Sequence, residues 1–108
     1  MISIRPAAPD DVGLICALIR ALADYERLSH EAEATSANLS AALFCEHPKV
    51  FCDMAEWDGE PVGFALWFYT FSSFKGRHGI YLDDLFVQPE HRGRGLGRAL
   101  LTHLARRC

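Results

Sequence analysis

Residues 87–101, VQPEHRGRGLGRALL, restrict the fold more than any other stretch of the 108-residue chain. An apolar strand ends at Val87, and Pro89 and Glu90 turn the chain. Gly93, Gly95 and Gly97 then carry it into a helix with Leu96, Leu100 and Leu104 in line. Glycines let backbone N–H groups crowd around an anion, the start of a helix adds positive potential, and Arg92, Arg94 and Arg98 add charge. This predicts a strand–loop–helix cradle for phosphate, with a diphosphate as its natural guest. A Walker A loop is excluded, because no GxxxxGK[ST] is present. The dinucleotide fingerprint fails as well. Arg98 stands where its third glycine belongs, and the preceding strands form a hairpin rather than a βαβ unit. Arginine-glycine segments that bind RNA are long and disordered, whereas this one lies inside a folded pattern.

Charge divides the chain at the same place. All fourteen acidic residues precede Arg92, so residues 1–91 carry a net -8 and residues 92–108 a net +5, with -3 overall. The basic end is expected to meet an anion, and the negative total argues against a nucleic-acid partner. No apolar run reaches about 18 residues and no basic-then-apolar leader follows Met1, so neither a membrane span nor a secretory signal is expected. Cys16, Cys45, Cys52 and Cys108 form no CxxC pair, which suggests buried, reduced thiols and a cytoplasmic location. Cys45-x-His47 with Cys52 lacks a second close pair, and His30, His78, His91 and His103 lack ligand spacing, so no metal is expected.

The remaining elements follow from periodicity. Residues 2–5 make a short strand closed by Pro6. Residues 9–26 make a helix, with Val12, Ile15, Ile19 and Leu22 on one stripe and Leu18 widening it. Pro9 suits its first position, Asp10 and Asp11 suit its dipole, and Ala8 is a poor cap. After the polar stretch 29–35 comes a shorter helix over 36–44, stopping before His47-Pro48. Strands over 50–57 and 61–71 flank Asp58-Gly59, a tight hairpin turn, and the second is apolar on both faces like a central strand. Residues 72–79 are expected to loop, 80–87 to form a strand, and 93–107 to begin the last helix. The order is β-α-α-β-β-β-α in one domain. A strand and helix ending this way normally lead to a further parallel strand, so the sequence is expected to be the N-terminal part of a longer protein. The alternative is that another chain covers the edge of strand 80–87; left uncovered, that edge would suit homodimerisation, swapping or aggregation.

Asp83 and Asp84 interrupt that strand. Simple alternation puts Tyr81, Asp83, Leu85 and Val87 on one face and Ile80, Leu82, Asp84 and Phe86 on the other, so at least one carboxylate is expected to be partly buried. A carboxylate here can bind an ammonium group and accept or relay its proton. An ion pair or a cap for neighbouring backbone would explain Asp84 equally well.

Arg92-x-x-Gly95-x-Gly97 after an apolar strand resembles the Q/R-x-x-G-x-G/A signature of the GNAT acyl-CoA-dependent N-acetyltransferases. IRPAAPDDVGLICALIRALADYERL resembles their opening strand and helix. GIYLDDLFVQPEHRGRGLG resembles the polyamine and thialysine branch, and the likeness covers nearly the whole chain. The resemblance implies a mixed, mainly antiparallel sheet with flanking helices, of which residues 1–108 form the N-terminal, acetyl-CoA-binding part without the last strands. It implies that Leu85, Phe86 and Val87 pair with the pantetheine arm. The pyrophosphate would lie at Gly93, Arg94, Gly95, Leu96, Gly97 and Arg98, beside Arg92. It further implies that Asp83, with Asp84, Tyr25 and Glu26, receives a small cationic amine, and that Asp83 takes part in catalysis. Transfer would be direct in a ternary complex, with the departing thiolate protonated by a tyrosine beyond residue 108. The competing expectation is a non-catalytic module that binds CoA or a partner chain.

Overall fold

The computed structural model describes residues 1–26 and 35–107; of the sequence features above, residues 29–34, including His30, and Cys108 lie outside that set. Four strands, β1 (Ile2–Pro6), β2 (Phe51–Trp57), β3 (Glu60–Ser72) and β4 (Arg77–Val87), form one sheet in chain order. Every neighbouring pair is antiparallel. The β2–β3 hairpin turns at Asp58 and Gly59, with φ of 52° and 85°, the left-handed pair that matches the twist of the strands.

Helices α1 (Val12–Tyr25) and α2 (Ser36–Phe44) cover one face of the sheet, and α3 (Leu96–Arg107) covers the other. The alternation of β2 decides what each helix meets. Cys52 and Met54 point to Ile15, Leu18, Leu39 and Leu43, while Ala55 joins Leu96, Leu100 and Leu104 under α3. α2 starts where predicted, with the Thr35 hydroxyl accepting from the Asn38 N–H and the Asn38 side chain accepting from the Thr35 N–H.

Four expectations need correction. The strand expected at 80–87 begins three residues earlier, because residues 77–79 pair with 70–72 and shrink the loop to Ser73–Gly76. The last helix starts at Leu96 rather than Gly93, since Gly93 and Gly95 hold φ of 83° and 87°. Cys16 and Cys52 are buried as expected, but Cys45, just past the end of α2, is exposed.

The fourth correction concerns faces. Leu66 pairs with Asp84 but Trp67 pairs with Leu82, so Asp83 is an extra residue, a β-bulge. Ile80 and Leu82 therefore share the α3 side with Leu85 and Val87, while Phe86 joins the α1 side. Strict alternation had put Leu82 and Leu85 on opposite faces. The bulge resets the parity.

The sequence did not reveal the burial of two polar groups inside the fold, Asp11 and Asp53. Asp11, 7% exposed, receives both terminal nitrogens of Arg5 at 2.6 and 2.9 Å and the Ala8 N–H at 2.7 Å. It thereby serves the helix start that Ala8 cannot cap. Arg5 in turn donates from Nε to Glu56 at 2.9 Å. Asp53, 2% exposed, accepts from the Trp67 indole at 2.8 Å and lies 3.8 Å from His103 Nε2 under α3.

Candidate active site

The glycine-arginine loop forms as its sequence predicts. A single helical turn at Pro89–His91 reverses the chain after β4, with the His91 N–H bonded to the Gln88 carbonyl at 2.9 Å. Gly93 and Gly95 take left-handed φ that would strain any side chain. The first bond of α3 runs from the Ala99 N–H to the Gly95 carbonyl at 2.9 Å. The N–H groups of Leu96, Gly97 and Arg98 consequently have no acceptor within the helix and face outward from its positive end. A Cβ on Gly97 would meet only Leu85 Cδ2, at 3.7 Å, so the protein itself leaves that position open.

These groups line a groove of about 350 Å³ together with Leu85, Val87, His91, Arg92 and Arg98. The donor set suits a diphosphate: outward N–H groups, a helix start and Arg98. His91, which the sequence reading set aside for lack of ligand spacing, is part of this lining; its place beside the motif was the available signal. A larger cleft of about 450 Å³ on the other flank of α3 shares Gly95 and Arg98 with the groove and runs past Ile4, Thr102, His103 and Arg106.

The other arginines are partly engaged within the fold. Arg92 donates from Nε to the Val87 carbonyl at 2.9 Å, and its Cζ lies 4.8 Å from the Tyr25 ring centre and 5.0 Å from that of Phe86. Arg94 stacks over Trp57 at 4.6 Å and lies 3.0 Å from His91 Nδ1.

The bulge places the two aspartates differently. Asp83 is exposed and Asp84 is half-buried. Burial, then the charges of Asp83 and Glu26 and a hydrogen bond with Asp83, push the Asp84 carboxyl above the ordinary aspartate range. Glu26 caps α1, its N–H bonded to the Leu22 carbonyl at 3.0 Å, and Tyr25 is the last residue of the helix, 69% exposed. The structure thus brings Glu26, Asp83 and Asp84 within mutual electrostatic reach, with Tyr25 beside Arg92. Leu85, Phe86 and Val87 run from this acidic cluster to the loop along β4, which borders no strand on its outer side among the described residues. No group of three His, Cys, Asp or Glu side chains among the described residues is placed to hold a metal ion.

Comparison with known proteins gives the family. Residues 16–108 match the model of the acetyltransferase (GNAT) family. The chain is 40% identical to a thialysine N-epsilon-acetyltransferase of Bos taurus, over 96% of its own length and 65% of the relative's. It is 32% identical to a human spermidine/spermine N(1)-acetyltransferase-like protein, over 94% of its length and 16% of that protein's. It spans about two thirds of the thialysine acetyltransferases it matches. In fold it is similar to a possible acetyltransferase from Clostridium difficile 630, with a TM-score of 0.85 at 21% identity, covering 100% of this chain and 71% of the other. On sequence, fold and loop together, the chain belongs to the GNAT family of acetyltransferases.

Proposed function

We propose that this chain is the N-terminal, acetyl-CoA-binding part of an N-acetyltransferase that acts on the primary amine of a small cationic substrate. One observation carries the reading: β4 joins an anion cradle at its C-terminal end to the Asp83–Asp84–Glu26 cluster a few residues earlier. A thioester carried on a diphosphate-bearing cosubstrate and an ammonium group would be held along the same strand edge. The named activity of the thialysine and spermidine/spermine relatives, acetylation of amines, supports this choice.

The chemistry follows from charge. An alkyl ammonium has a pKa near 10 and must lose a proton before its nitrogen can attack. Asp83, exposed on its bulge, receives the ammonium and passes the proton to water. Asp84, holding its own proton more readily, completes the pocket with Glu26 and Tyr25. The neutral nitrogen attacks the thioester carbonyl carbon, a β4 N–H stabilises the oxyanion, the nitrogen gives up a second proton to water, and the C–S bond breaks to leave the amide and release the thiolate. A group outside this chain protonates that thiolate.

We further propose a cytoplasmic homodimer. Support comes from exposed aromatic residues near the β3–β4 tip, Tyr69, Phe71, Phe74 and Tyr81. No helix among the described residues is long and apolar enough to cross a membrane.

Calorimetric titration with acetyl-CoA, beside a Gly95→Asp variant, tests the reading. Binding by the chain and not by the variant is the expected result; no binding by the folded chain overturns it. Acetyl-CoA binding without transfer to any amine by the full-length protein would identify a non-catalytic module.

A further inference from the structure

We propose that Arg92 is a positioning residue, not a phosphate ligand: it ties the end of α1 to the start of the cofactor loop. The proposal rests on the acetyl-CoA reading above. By sequence, Arg92 is one more positive charge in a basic loop. In the fold, its guanidinium makes contacts in three directions. Nε holds the Val87 carbonyl, the last backbone acceptor of β4, at 2.9 Å. The planar group stacks against Phe86 from the strand and Tyr25 from the helix, at 5.0 and 4.8 Å. Lysine can provide the charge but neither the flat stacking surface nor the Nε bond.

The consequence is a mechanical link. Tyr25 is the final residue of α1 and does not line the groove, yet it packs on the residue that opens the Arg92–Gly97 loop. Glu26, the next residue, faces the acidic cluster. The guanidinium therefore holds the acceptor end of α1 and the cofactor loop in one geometry. Arg92 also borders the groove, but its guanidinium is committed to Val87, Phe86 and Tyr25, which leaves Arg98, on the first turn of α3, as the cation for phosphate.

A double-mutant cycle on acetyl-CoA affinity tests this, using the unmodified chain, Tyr25→Leu, Arg92→Gln and the double variant, each checked for folding by circular dichroism. Tyr25→Leu should weaken acetyl-CoA binding about three- to tenfold, the scale of a partly exposed cation–π contact. The double variant should bind no more weakly than Arg92→Gln alone. Tyr25→Phe, which keeps the ring, should restore affinity, and Arg92→Lys should behave like Arg92→Gln. Wild-type affinity in Tyr25→Leu, even with a lowered thermal midpoint, would overturn the proposal and leave the contact merely structural. Additive losses, or full affinity in Arg92→Lys, would overturn it too. Failure of the unmodified chain to bind acetyl-CoA would overturn the acetyltransferase reading and this inference with it.

Discussion

At the base of α1, Asp11 is 7% exposed and meets the Arg5 guanidinium with both oxygens. On β4, Asp84 is half-buried beside Asp83 and Glu26. Hydrogen bonding from Arg5 is the strongest influence on Asp11 and pulls its carboxyl below the ordinary aspartate value of 3.8, against the effect of burial. For Asp84 burial and like charge act together and push it above that value. Both groups are partly removed from water, but among the described residues only Asp11 has a cation beside it. Asp11 is satisfied by the chain itself and fastens β1 to the start of α1. The acidic neighbourhood of Asp84 would be relieved by an incoming ammonium, which supports the proposal that it is a site rather than a joint.

The largest expected effect separates the two roles. Asp83→Asn should lower kcat for amine acetylation by about 10²–10⁴, and Asp84→Asn, which alters only the pocket, by roughly tenfold or less, both leaving acetyl-CoA affinity within about twofold. Steady-state kinetics on the full-length protein, with calorimetry for the cofactor, would check this; unchanged kcat in both would remove the acidic cluster from the mechanism. Next, Asp11→Ala strips Arg5 of its bidentate partner and α1 of its first acceptor. It should cost roughly 2–4 kcal/mol in denaturant unfolding, since a mostly buried pair is broken from one side. A loss below about 1 kcal/mol would mean that Glu56 alone satisfies Arg5.

The pH dependence should differ in sign. Asp11 has a lowered folded pKa, so its stabilisation is present above 3.8 and disappears as pH falls through the folded value. Asp84 has a raised folded pKa, so its cost is complete above that value and fades as pH falls toward 3.8. Unfolding free energy measured against pH should flatten at the acid end in Asp11→Ala. The smallest effect is the last. Asp84→Asn should raise stability at neutral pH by at most about 1 kcal/mol, limited by solvent screening, and the gain should vanish below pH 4 or so. A loss of stability instead would mean that the Asp84 carboxylate has a partner in the fold after all.

Much of the architecture was legible in sequence because it is written locally. The 3.6-residue stripe of Val12, Ile15 and Ile19, the Asp58-Gly59 turn and the second helix over Ser36–Phe44 each depend on neighbours within a few positions, and each formed where expected. The glycine loop proposed to hold phosphate is local too, being made of backbone N–H groups whose aim follows from φ at Gly93 and Gly95. That is also why the family signature is concentrated there.

The acceptor side was only half legible. The sequence shows two adjacent acids in an apolar strand, but which of them is buried depends on register against β3, fifteen or more residues away. The extra residue at Asp83 appears only when Trp67 is seen opposite Leu82. Likewise no periodicity places Arg5 on Asp11 and Glu56, Asp53 under Trp67, or Arg92 against Tyr25; each depends on how separate elements pack. Sequence alone set the order of the elements and the glycine backbone of the loop, because steric and dipolar preferences act over one turn or one hairpin. Tertiary structure alone decided which charges have partners, because desolvation and pairing are set by what the rest of the chain brings within a few ångströms.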